Sequence, residues 1–370
     1  MSSEPSRHNH SEIRTPNSFS RRKLAFISLL TVLAAVFISL LWGDTANLFS
    51  LRRLFGYSAR SAAVPLSASA PIATIAAVKG QSDAVTSGQV HSSMKTPVYF
   101  LSHGGPNVMY EVDHPAYRKL SEIGREITTK VKPKAVVVFS AHWQAGRNTI
   151  QVNTAVKTDL IYDFFGFPSH YYKEKYPNVG SKEVAEKVLE SLEEAGITAE
   201  GVERGLDHGV WASFKCAFEP ETNPLNVPIV QVSLFATEDP DQHYRLGQAV
   251  ANLREQNILI IVSGMAVHNL RDMRFAFGSS TPMPYAVSFD NALKDAVTTA
   301  PAERQKAMAE LLKRPDARQA HPSFEHLLPI HIGAGAAGED LGKRTWTFPE
   351  GSMSWAQYRF GEVGNASSAL

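Results

Sequence analysis

Short apolar runs alternate along the chain with longer stretches whose apolar positions recur every three or four residues. The runs at 97–101, 135–140, 228–234 and 258–263 are rich in Val, Ile, Leu and Phe, the pattern of strands buried on both faces. Weaker runs near 148–152 and 344–348 predict two more strands. Helical spacing predicts helices over 115–131, 181–195, 242–256, 287–299, 303–313 and 322–335. The clearest is 181–195, where Val184, Val188, Leu192 and Ala195 share a face and Gly196 stands at the C-terminal cap position. Strand–helix alternation predicts a single α/β domain, with a central mixed or mainly parallel sheet flanked by helices.

The first ninety-odd residues break this pattern. Residues 1–23 are polar and read as a disordered tail. Leu24 to Trp42 carry no charge, and a run of about twenty apolar residues matches a bilayer-spanning helix. A transmembrane anchor is therefore expected at 24–43. Arg7, Arg14, Arg21, Arg22 and Lys23 precede it, which places the N-terminus in the cytosol. The alternatives are a cleaved signal sequence, for which the run is long, and a mitochondrial presequence, in which Glu4 and Glu12 are unusual. Residues 44–95 are rich in Ser, Ala and Gly and read as a flexible spacer, and 364–370 as a short tail. The folded part is expected at 96–363.

Charge and cysteine content narrow the chemistry. Lys plus Arg number 37 and Asp plus Glu 36, so no basic face for nucleic acid is implied. Cys216 is the single cysteine, which excludes an intrachain disulfide and a thiolate metal cluster. Any metal must be held by histidine and carboxylate. No phosphate-binding loop, dinucleotide fingerprint or nucleophile elbow is present.

The histidines fall in a repeated setting. Val98-Tyr-Phe-Leu runs into Ser102-His103-Gly-Gly-Pro, and Val136-Val-Val-Phe into Ser140-Ala-His142-Trp. Ile258-Leu-Ile-Ile-Val leads through Ser263-Gly-Met-Ala-Val to His268. In open α/β sheets the ligand site lies beyond the C-terminal strand ends, so His103, His142 and His268 are expected to converge on one crevice. His208, in Arg204-Gly-Leu-Asp-His-Gly-Val-Trp211, reads as a loop residue near a ligand. His326, in His321-Pro-Ser-Phe-Glu-His-Leu-Leu-Pro329, is expected on a helix that begins at Pro322, with Glu325 on another side. A lone histidine is more often a hydrogen-bonding residue than a ligand, and that reading is kept for His114, His170, His243 and His331. His321 is assigned to a supporting or helix-entry role. Two or three histidines around an open position suit Fe(II) or catalytic zinc. The stretch Asp159 to Tyr172 is either an aromatic pocket wall or a surface loop.

In order, SHGGP, SAHW, FFGFP, GLDHGVW, VHNL and HPSFEHLLP resemble the class III extradiol ring-cleavage dioxygenases, in particular the DOPA 4,5-dioxygenase type related to the protocatechuate 4,5-dioxygenase catalytic subunit. The resemblance spans nearly all of 96–363. It implies an extradiol dioxygenase that opens a catechol such as DOPA with O₂, at Fe(II) or alternatively zinc, and yields a semialdehyde. It implies His103 and His142 as metal ligands, with His326 ahead of Glu325 as the third. It further implies His268 as acid/base, and on the metal in zinc-loaded relatives, and His208 as a residue stabilising substrate or oxygen. Tyr162 departs from the pattern, where a histidine is expected. A zinc hydrolase using the same histidines is the competing reading. An Fe(II) enzyme facing a secretory lumen would be unusual, which favours mitochondrial targeting or the opposite orientation.

Overall fold

The computed structural model describes residues 95–276 and 281–364. The expected tail, anchor and nearly all of the spacer lie outside the described residues. Among those described, no helix is long and apolar enough to cross a membrane.

The strands are β1 (Val98–Ser102), β2 (Ala135–Gln144), β3 (Ile150–Asn153), β4 (Ala199–Val202), β5 (Ile229–Leu234), β6 (Ile258–Gly264), β7 (Val267–His268), β8 (Gly342–Trp346), β9 (Pro349–Glu350), β10 (Met353–Ser354) and β11 (Gln357–Phe360). The helices are α1 (Pro115–Glu126), α2 (Lys182–Glu194), α3 (His208–Ala217), α4 (Pro240–Ala249), α5 (Leu270–Ala276), α6 (Pro284–Thr298), α7 (Pro301–Glu310), α8 (Ala317–Ala320) and α9 (Leu328–Ala336). An eight-stranded sheet runs β4-β3-β5-β2-β6-β1-β11-β8, and β7, β10 and β9 form a small second sheet. The centre, β5-β2-β6-β1, is parallel, whereas β11 and β8 pair antiparallel on one side and β3 on the other. The domain is α/β with a mixed central sheet.

The apolar runs mark the parallel centre because it is covered on both faces. Val98 and Phe100 pack with residues of α2, α4, α6 and α9, while Tyr99 and Leu101 pack with α1 and α3. Strand side chains alternate, so consecutive apolar residues fill two cores at once. Ser181 caps α2 by accepting the Val184 N–H at 3.2 Å, and Gly196, at φ +70°, ends it. Ala195 is exposed, and Ala185 and Ser191 complete the buried face instead. The buried Arg254 donates to the Thr96, Ala336 and Ala337 carbonyls, tying the start of the domain to the end of α9.

Several elements differ from expectation. The helix expected over 322–335 begins only at Leu328, because upstream backbone groups bond elsewhere: Phe324 N–H to Glu238 at 3.0 Å, and the His326 carbonyl to Met265 N–H at 2.9 Å. Glu325 and His326 therefore sit in a turn. β2 runs to Gln144, so His142 lies within the strand, where pairing with β5 slips. His208 heads α3, which is buried at nearly every position and so carries no apolar stripe to reveal it. The segment 242–256 divides into α4 and a tighter turn over Ala251–Gln256 that stops at Asn257, φ +61°. β11 was not expected: four residues alternating with Gln and Arg give little signal.

Candidate metal centre

The parallel strands β1, β2 and β6 end together, and their ends bring histidines side by side. The His103 N–H bonds the Gly264 carbonyl at 3.0 Å, pinning the residue after β1 to the last residue of β6. His142 follows Ser140, which pairs with Ser263 of β6. His326 enters from the turn before α9. Nε2 of His142 lies 3.2 Å from Nε2 of His103 and 3.2 Å from Nε2 of His326. The approach of α3 depends on Gly209, where a Cβ would meet Ser140 Oγ at 2.7 Å, His142 Cδ2 at 2.8 Å and His103 Cε1 at 3.2 Å.

Hydrogen bonds fix the tautomer of His103 and His326, and an ion-pair contact orients His142. The Ser263 hydroxyl donates to the Gly209 carbonyl at 2.6 Å, so toward His103 Nδ1, at 2.9 Å, it can only accept. Nδ1 of His142 faces the Asp163 carboxylate at 3.0 Å, and Nδ1 of His326 faces Glu325 at 2.9 Å. Carboxylates offer no proton, so each ring in its neutral form carries its own on Nδ1 and turns a bare Nε2 lone pair toward its neighbours. Such lone pairs repel unless a cation stands between them. Metal–nitrogen bonds of about 2.0–2.1 Å meeting at roughly 100° would set nitrogens about 3.2 Å apart, so the donor set fits a metal ion. Burial and neighbouring histidines hold His103 and His326 well below the usual imidazole range, leaving both neutral. At His142 burial acts the same way, but Asp163, Asp207 and Glu325 outweigh it and its pKa rises.

Two further histidines flank the trio. His208 donates from Nδ1 to Asp163 Oδ1 at 2.9 Å, and its ring centroid lies 4.1 Å from that of His142. His268 stacks on His326, with centroids 3.7 Å apart and planes 17° apart. Burial pushes His268 down to about 3, so it too is neutral. The ligand atoms of His268, Glu325 and His326 form a second grouping, which shares only His326 with the trio. All five expected histidines thus meet at one place.

The family model for the catalytic LigB subunit of aromatic ring-opening dioxygenase matches residues 96–361. The chain belongs to the LigB family. It is 35% identical over 274 residues to 4,5-DOPA dioxygenase extradiol of Beta vulgaris, across 71% of this chain and 95% of that protein. It is 32% identical over 248 residues to the Escherichia coli K12 protein of the same name, across 67% and 87%. The crystal structure of an uncharacterised Escherichia coli K12 protein matches with a TM-score of 0.58 at 28% identity, over 72% of this chain and 100% of that one. As a LigB protein the chain is a ring-opening dioxygenase, in agreement with the six motifs, and the zinc hydrolase is not favoured.

One residue of this LigB site was not expected from the sequence. Asp163 bridges His142 and His208: Oδ2 lies 3.0 Å from His142 Nδ1, while Oδ1 accepts both Nδ1–H and the backbone N–H of His208, the latter at 3.0 Å. Burial opposes its ionisation, yet the two histidines outweigh burial and hold its pKa far below the usual carboxylate range. The signal was an Asp inside the aromatic stretch. That stretch proves to be both wall and surface: Phe164 packs edge-on against His208 at 5.6 Å, while Phe165 is 91% exposed. Tyr162, in place of the expected histidine, donates its hydroxyl proton to the Glu174 carbonyl at 2.7 Å. His321 is fully buried and bonds the Ala266 carbonyl at 3.0 Å, two residues before His268.

Proposed function

We propose that the chain opens the ring of a DOPA-like catechol beside its diol, using O₂ at a non-haem metal held by His103, His142 and His326, and forms a ring-opened semialdehyde. Fe(II) is the proposed metal and zinc the alternative. The observation that carries this reading is the convergence of three imidazoles, with Nε2 of His142 3.2 Å from Nε2 of both His103 and His326 and a polar acceptor facing each Nδ1. Such a metal, when bound, offers open positions at which diol and O₂ are brought together and charge passes between them. The 4,5-DOPA dioxygenase names of the relatives support the substrate class.

The remaining side chains handle protons and position. His208 holds its proton on Nδ1 against Asp163, leaving Nε2 free to accept one from the substrate diol, and Asp163 stabilises the imidazolium that results. His268, neutral through burial and stacked on His326, is assigned the second acid/base role. Ser263, Asp163 and Glu325 keep the metal-facing nitrogens unprotonated.

The test is anaerobic reconstitution of the full-length chain with Fe(II), followed by O₂ uptake and the yellow absorbance of a semialdehyde on adding DOPA. Uptake matched to product and lost in His142→Ala is expected. No uptake with any catechol, despite one tightly bound metal per chain, would overturn the reading.

We propose also that 24–43 tethers the domain to a membrane with the N-terminus cytosolic. The uncharged run Leu24 to Trp42 behind Arg21, Arg22 and Lys23 supports this. Full-length protein should resist alkaline carbonate extraction; complete release, or import and cleavage by isolated mitochondria, would replace this assignment.

A further inference from the structure

Glu350 stands on the same wall as His268, and among the described residues no Lys or Arg pairs with it. In the small sheet, Met353 of β10 pairs with both His268 of β7 and Glu350 of β9. Residues opposite one another in antiparallel strands project from the same face, so the three side chains form a row. His268 stacks on His326, which turns the row toward the histidine centre; Ser354, on the other face, bonds Asp290 of α6 at 3.0 Å. Two strand spacings of about 4.8 Å place Glu350 roughly 10 Å along the row from His268, a span that suits a catechol ring with a short arm.

Trp355 joins the far end of this row to the near side of the site. Its ring lies against Gly104, next to His103, where a Cβ would sit 1.9 Å from Trp355 Cη2; Gly104 itself takes φ +63°. The indole N–H donates to Glu350 Oε2 at 3.3 Å, and Nε2 of His114 donates to the same oxygen at 3.1 Å. As the cap of α1, His114 accepts the Ala116 N–H on Nδ1 at 3.2 Å, so it is Nε2–H that faces Glu350. Both donors go to Oε2, which leaves Oε1 open to a further donor. Among the described residues no Lys or Arg pairs with it, and Oε1 receives no hydrogen bond. The Glu350 side chain remains 35% exposed, so a ligand can reach it.

We propose that Glu350 is a subsite for a primary ammonium group on the arm of the catechol, so that the enzyme selects catechols with a cationic side chain. The inference rests on the ring-cleavage reading and adds what the site discriminates. An ammonium on Oε1 makes a charge-assisted hydrogen bond. Dopamine, a cation, should be preferred to zwitterionic DOPA, then to catechol, and an anionic dihydroxyphenylpropionate should rank last.

The experiment takes the full-length Fe(II)-loaded chain through this charge series, measuring kcat/KM aerobically and Kd by anaerobic calorimetry, where no turnover occurs. In Glu350→Gln the dopamine-to-catechol ratio should fall roughly tenfold or more in both measurements, and Glu350→Asp should keep part of it. An equal fall for dopamine and catechol would assign Glu350 a purely structural role and overturn the proposal. The wild-type chain alone is also decisive, since propionate bound as tightly as dopamine would overturn it without any variant. If no catechol is cleaved, the ring-cleavage reading fails separately, and the anaerobic ratio still decides Glu350.

Discussion

Oε1 of Glu325 lies 2.9 Å from Nδ1 of His326, so two residues adjacent in sequence act in series on one site. His326 then turns Nε2 to the centre while Glu325 orients it from behind. His326→Ala should leave the purified protein nearly free of iron. Glu325→Gln, which keeps shape but removes the charge, should retain metal with affinity lowered about 10–100-fold. Metal titration of both variants decides: Glu325→Gln as empty as His326→Ala would make the carboxylate the ligand.

Asp163 acts on His142 and His208 together. Asp163→Asn removes the charge that raises the His208 pKa against burial, so that pKa should fall further. His208 must be unprotonated to act as a base, hence the acid limb of the pH–rate profile should move to lower pH. The plateau should drop about 10–100-fold, since the imidazolium loses its counter-ion. A lowered plateau with an unmoved acid limb would detach Asp163 from proton transfer.

Gly209 leaves no room for a Cβ unless the side chains around it shift. Gly209→Ala places a Cβ 2.8 Å from His142 Cδ2 and 2.7 Å from Ser140 Oγ. Overpacking of this kind destabilises by about 1–3 kcal/mol, so the chain should still fold, melting a few degrees lower. Metal content should fall more sharply than stability, because the added methyl separates His103 from His142. Normal metal binding would show that the histidines move freely around it.

Burial holds His321 and His331 down at about 4. Unfolded histidine titrates near 6.5, so between about 6.5 and about 4 the unfolded chain binds protons that the folded chain refuses. Stability should therefore fall with pH across that window, by at most about 1.4 kcal/mol per pH unit for each histidine. Urea unfolding of wild type and His331→Gln at several pH values isolates one of them. Equal slopes would remove His331 from the account.

The sequence by itself determined the elements whose signal is local. Strands buried on both faces must be continuously apolar, so β1, β2, β5 and β6 were legible, as was α2 with its one apolar face. Their place just past those apolar runs made His103, His142 and His268 candidates, and the order of the motifs carried the family. Tertiary structure alone decided the rest. α3 is buried all round and leaves no periodicity, and the turn at Glu325-His326 replaced a helix because Glu238 and Met265 take its backbone bonds. Asp163 meets His208 across 45 residues of chain, and Glu350 meets His114 across 236. A carboxylate paired to a distant histidine leaves no repeat in the sequence. Only the packing that closes those loops chooses its partner, and with it the tautomer each imidazole presents.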